Sequence, residues 1–75
     1  MEAYAAQAIA CVQGAGLDPA ITNVGGGALA RGHPIGASGA ILAVRLFHEL
    51  QKTGGTGLAA IAAAGGLGSS LLLQA

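Results

Sequence analysis

Apolar residues recur at three- and four-residue spacing from Glu2 to Gln13, with Tyr4, Ala8, Cys11 and Val12 on one face. This predicts a first helix, with Glu2 in its first turn and Gly14 and Gly16 ending it. Leu17 to Ile21 reads as a connector with Asp18-Pro19 turn chemistry, and Ile21 to Val24 as a short extended segment. From Ser38 to Lys52, Leu42, Leu46 and Leu50 stack at four-residue spacing opposite Arg45, His48, Glu49 and Lys52. This predicts a second helix, with Ser38 as a cap or first-turn hydroxyl and Thr53-Gly54-Gly55 as its stop. Two short apolar runs follow, Gly57 to Ala64 and Ser69 to Gln74, separated by Gly65-Gly66-Leu67-Gly68. They read as a strand hairpin, and their lack of alternation predicts a sheet covered on both faces. The order is helix-loop-helix-strand-strand, an α/β pattern.

Composition changes how firmly such a chain can hold itself. Of 75 residues, eighteen are Ala and fourteen Gly, and Tyr4 and Phe47 are the only Phe, Tyr or Trp residues. Ala and Gly bury little area, and glycine loses the most backbone freedom on ordering. A chain this short buries a small fraction of its surface. It is therefore expected to be unstable alone, and to require a partner surface or the remainder of a larger domain.

The formal net charge is zero, with no basic cluster, which argues against nucleic acid as a partner. Cys11, the only cysteine, rules out an internal disulfide and points to a reducing, cytoplasmic setting. Its mid-helix apolar position reads as a small buried hydrophobe rather than a reactive thiol. No charged residue follows Lys52, so the last stretch invites a membrane reading. Six glycines with Ser69 and Ser70 interrupt that stretch and argue against a spanning helix.

The candidate chemistry lies in Asn23 to Gly39, which holds six of the glycines and His33 between Gly32 and Pro34. Glycine permits close approach of another group, and proline stiffens the chain on both sides of its own nitrogen. A titratable side chain on such a loop suits catalysis, while a structural connector with a solvated histidine is equally compatible with the spacing. The loop lacks the GK[ST] ending of a phosphate-binding P-loop and the strand and distant acid of a dinucleotide fingerprint. His33 and His48, with no cysteine pair or carboxylate cluster near them, do not make a metal site. Ser38, Ser69 and Ser70 lack a nucleophile-elbow context.

Asn23-Val24-Gly25-Gly26-Gly27-Ala28-Leu29-Ala30 followed by Gly32-His33-Pro34-Ile35-Gly36-Ala37-Ser38-Gly39 resembles the C-terminal signature of the thiolases. These are acyl-CoA acyltransferases of the acetyl-CoA acetyltransferase and 3-ketoacyl-CoA thiolase kind. Glu2-Ala3-Tyr4-Ala5-Ala6-Gln7 is similar to the end of the family's NEAFA motif, and Gly65-Gly66-Leu67-Gly68 to the tail of its C-x-G-G-G-x-G loop. The resemblance implies that residues 1–75 form the latter part of the C-terminal half of a thiolase-like fold. It implies that His33 helps activate a nucleophilic cysteine and contributes to the oxyanion hole for a thioester. It further implies that Gly32, Gly65 and Gly66 let an acyl-CoA substrate approach. Acyl-CoA and CoA would be substrate and product, with no separate cofactor or metal. An N-terminal thiolase half, or a subunit carrying one, would be the partner, in a homo- or hetero-oligomer without nucleic acid or membrane.

The departures from the family pattern are equally informative. Nothing here corresponds to the nucleophilic cysteine of the family's N-terminal half. Met1 stands where the family has an asparagine that holds an oxyanion water. The family's second catalytic cysteine falls at Ala62, and the glycine two positions on falls at Ala64. Beginning inside a motif suggests a truncated frame, a split subunit or an excised fragment. The expectation is a chain inactive on its own, either contributing His33 to a thiolase site or acting as a non-catalytic subunit that completes a core and an oligomer interface.

Overall fold

The computed structural model describes residues 1–75, with elements in the order α1 (Ala5–Gly14), a 3₁₀ turn (Pro19–Ile21), α2 (Ala28–Arg31), α3 (Ser38–Thr53), β1 (Thr56–Ala63) and β2 (Leu67–Gln74). The α/β class and both longer helices follow the sequence pattern. The chain divides into two units, Glu2–His33 and Pro34–Ala75, the latter also including Met1.

In the first unit, α1 begins later than the periodicity suggests, because Tyr4 is extended at φ −144, ψ 152 and serves as N-cap. Gln7 reaches back from the first turn, and its Oε1 accepts from the Ala3 amide at 2.9 Å. Glu2 thus precedes the helix and is not in its first turn. The other end closes as a Schellman motif. The Leu17 amide donates to Val12 O at 2.9 Å and the Gly16 amide to Gln13 O at 3.3 Å. Gly16 takes the left-handed conformation this requires, with φ 67.

No residue of α1 is buried, and Cys11 is exposed, contrary to its reading as a buried hydrophobe. The reason is local: the unit offers only a 3₁₀ turn and a four-residue helix, and neither is long enough to cover the face. The Pro19–Ile21 turn is capped by Asp18, whose Oδ1 accepts from the Ala20 amide at 2.9 Å. Ile21 to Val24 is not extended. Asn23 sits at φ 49, which its short polar side chain tolerates, and Gly26 N donates to Asn23 O at 2.9 Å to close a turn.

In the second unit, α3 packs on a two-stranded antiparallel sheet. The register pairs Thr56 with Gln74, Leu58 with Leu72 and Ala62 with Gly68. Burial alternates along β1, with Gly57, Ala59 and Ile61 half-buried and Leu58, Ala60 and Ala62 exposed. Only one face of the sheet is therefore covered, not two, because this unit contains a single helix. Leu50 is the one buried apolar residue, at 8% exposure. Residues 53–75, weighed above as a membrane candidate, hold the hairpin, and no helix is long and apolar enough to cross a membrane.

Candidate functional site

The first unit ties its glycine-rich loop from two directions. Gly27 is the N-cap of α2 and has no side chain with which to cap it. The Glu2 carboxylate supplies the missing acceptor from 27 residues away in sequence, its Oε1 taking the Leu29 amide at 3.2 Å. Its Oε2 accepts from Asn23 Nδ2 at 3.0 Å. From the other side, Arg31 Nη2 donates to the carbonyl of Gly25.

α2 ends at Gly32, whose amide donates to Ala28 O at 2.7 Å and whose backbone sits at φ 100, ψ 164. That region favours glycine and turns the chain abruptly out of the helix. His33 follows immediately, half-buried and outside any regular element, with Pro34 next. The sequence-predicted pair Gly32 and His33 therefore lies at the end of a short, doubly tied helix.

The other predicted pair lies in the second unit. Gly65 and Gly66 occupy the hairpin connection at φ 87 and φ 75. Two successive positive φ values let β1 reverse into β2 within three residues, Ala64 to Gly66. Ala62, at the position the resemblance gives to a second cysteine, is exposed on the open face directly opposite Gly68. A Cβ on Gly68 would meet no atom nearer than Ile61 O at 3.7 Å.

The entrance to α3 converges on one carbonyl. Pro34 O accepts from the Ala37 amide at 2.8 Å, the Ser38 amide at 2.9 Å and Ser38 Oγ at 3.0 Å. Ser38 is 3% exposed and is the only buried polar residue, so its hydroxyl stitches the loop to the helix and leaves the N-cap position to Ala37. Between α3 and the hairpin lies an open cavity of about 250 Å³, lined by Leu42, Ala43, Ala59, Ile61, Ser69 and Leu71 among others.

His48 keeps to the solvent side of α3, with Nδ1 at 3.1 Å from Gln51 Oε1. Cys11 Sγ accepts from Gln7 Nε2 at 3.1 Å. No group of three or more His, Cys, Asp or Glu side chains is placed to hold a metal ion. The contacts that sequence reasoning missed are those of Glu2 and Arg31 with the glycine loop. The Glu2 partners lie 21 and 27 residues away, beyond the reach of any local pattern.

The whole chain, residues 1–75, matches the family model described as thiolase, C-terminal domain. It is 51% identical over 74 residues to the acetyl-CoA acetyltransferase of Paracoccus denitrificans, covering 97% of this chain and 19% of that protein. It is 46% identical over 74 residues to the cytosolic acetyl-CoA acetyltransferase of Mus musculus, again covering 97% of this chain and 19% of the relative. With a probable acetyl-CoA acetyltransferase of Mycobacterium tuberculosis it shares 47% identity over 75 residues, 99% of this chain and 19% of that protein. The chain thus spans about a fifth of the length of these curated relatives. No solved structure gives a significant match.

Proposed function

The chain belongs to the thiolase family, over its C-terminal domain, and from that premise we propose that it is part of an acyltransferase acting on acyl-CoA thioesters. In this reading residues 1–75 form one portion of a larger C-terminal domain, and His33 is the catalytic group they supply. The reaction would be thiolytic cleavage of a 3-ketoacyl-CoA or its reverse, the condensation of two acetyl-CoA molecules. The observation that carries the reading is the left-handed stop at Gly32, which sets a half-buried histidine directly after a tied helix and before a proline.

The chemistry suits that residue. A cysteine thiol contributed by protein outside these residues gives its proton to the imidazole and attacks the thioester carbonyl carbon. As the carbonyl oxygen gains charge, the imidazole N–H donates to it. The carbon–sulfur bond to CoA breaks, an acyl-cysteine remains, and the proton leaves with the CoA thiol. Gly32, Gly65 and Gly66 present backbone without side chains and would let the thioester come close.

The carbon–carbon step asks for a second acid–base group at the substrate carbon, and the methyl group of Ala62 cannot move a proton. The 75 residues therefore support acyl transfer to the nucleophile but not the full reaction. The isolated chain has no acyl-accepting cysteine at a matching position, since Cys11 lies mid-helix in α1.

The test replaces the matched segment of the Paracoccus denitrificans relative with these residues and measures exchange of labelled CoA into acetyl-CoA. Exchange is expected, with a loss of about 100-fold or more on His33→Ala. Thiolysis of acetoacetyl-CoA should stay low until Ala62→Cys is added. Exchange that ignores His33 in a folded protein would sink the reading. A second reading, a non-catalytic subunit that completes a core and an oligomer interface, is favoured by Ala62 and by Met1 at the position of the family's asparagine. It requires assembly without any exchange.

A further inference from the structure

We propose that Glu2 is a positioning residue for His33, a role that rests on the function given to His33 above. The Glu2 carboxylate caps α2 where Gly27 cannot, and it holds Asn23 and Leu29 at the two ends of the glycine loop. It reaches there because Gly27 is bare. A Cβ at Gly27 would clash with Oε1 and lie 2.6 Å from Cδ of Glu2. Gly27 is itself buried, so the carboxylate covers this backbone. Arg31 ties Gly25 inside the same loop, and Gly32 is hydrogen-bonded to Ala28. Gly32 is the covalent joint between the tied segment and His33. A carboxylate accepts more strongly than a neutral oxygen, and two such bonds, at 3.0 and 3.2 Å, fasten a loop that contains three consecutive glycines. Releasing the carboxylate frees the start of α2 and, through its one turn, the backbone that carries the imidazole.

The test uses NMR on the fused protein, in which these residues replace the matched segment of the relative, with Leu29 amide exchange and the His33 ring signals as readouts. Without substitution, the Leu29 amide should exchange slowly. Glu2→Ala should speed it by about tenfold, the size expected on losing a hydrogen bond to a charged group. The His33 ring signals should move in the same variant, while amides of α3 stay as they were. Gly27→Ala should reproduce the effect by displacing the carboxylate, and adding it to Glu2→Ala should change little more.

The exchanged pair Glu2→Gln with Asn23→Asp puts an amide donor against a carboxylate and leaves an acceptor for Leu29, so it should restore both readouts. A Leu29 amide that is unprotected without substitution, or unchanged in Glu2→Ala, overturns the proposal. So do His33 signals that stay fixed while Leu29 quickens. In the fused enzyme, Glu2→Ala should lower kcat for CoA exchange about tenfold with KM unchanged, and the exchanged pair should recover it. A fused enzyme with no His33-dependent exchange counts against the function alone, because the NMR response reports the hold of Glu2 on His33 independently.

Discussion

Leu46 rests directly on the backbone of Gly57. A Cβ built at Gly57 would clash with Leu46 Cδ1 and stand 3.3 Å from both Leu46 Cγ and Leu50 Cδ1. This glycine is conformationally ordinary; it is small because the helix comes down onto the strand at that point. Gly57→Ala should therefore lower stability by about 1–3 kcal/mol, the usual cost of forcing an extra carbon into a packed contact. Gly57→Val should cost more. Chemical denaturation of the two variants beside the parent chain checks this, and an unchanged midpoint for both would refute it.

Ser38 gives a second prediction. Ser38→Ala removes one of three donors to Pro34 O and leaves that carbonyl with two amides. Pro34 O stays satisfied, so the loss should be about 0.5–1.5 kcal/mol. Ser38→Val removes the same donor and adds bulk at a 3% exposed site, so it should be worse than alanine. Equal midpoints for the two variants would contradict this packing.

The hairpin connection makes a third. Gly65→Ala and Gly66→Ala each place a Cβ where φ is positive, at a cost of about 1–2 kcal/mol apiece. Space is not the obstacle, since neither Cβ would meet an atom within 4 Å. Gly66→Asn, whose side chain tolerates this conformation, should cost less than Gly66→Ala. Amide exchange at Ala62 and Leu67 would report the opening of the ladder beside the turn.

Ala62→Cys supplies the fourth. The site is exposed and faces Gly68, so the larger side chain should change stability by no more than about 0.5 kcal/mol. Both Cys11 and the introduced thiol should react with a thiol reagent in the folded chain, giving two titrating groups in place of one. A buried, unreactive second thiol would show that the open face is covered.

The elements legible in the sequence are those whose cause is local. The leucine ladder of Leu42, Leu46 and Leu50 marks α3, and the paired glycines mark the hairpin. α2 was not legible. A single turn is too short to show a period, and its first orphan amides are met by Glu2, which is remote in sequence. The same remoteness hid the tie on the loop beside His33, although the histidine itself stood out by residue type, while Gly32, Gly65 and Gly66 were singled out as site residues only through the family resemblance. Ile21 to Val24 reads as extended from its β-branched residues, but Asp18 and Asn23 win it for turns through hydrogen bonds of their own. Covering both sheet faces needs a second layer, and strand composition says nothing about whether the same unit provides it.

With Leu50, at 8% exposure, the one buried apolar side chain, melting this chain would wet little new hydrocarbon. Its heat-capacity increment should fall well short of the roughly 12–15 cal/mol/K per residue typical of self-sufficient domains. The calorimetric transition should accordingly be broad and shallow, and should sharpen once a companion surface seals Leu58 and Leu72. Cooperativity here would be a property of the assembly rather than of the 75 residues.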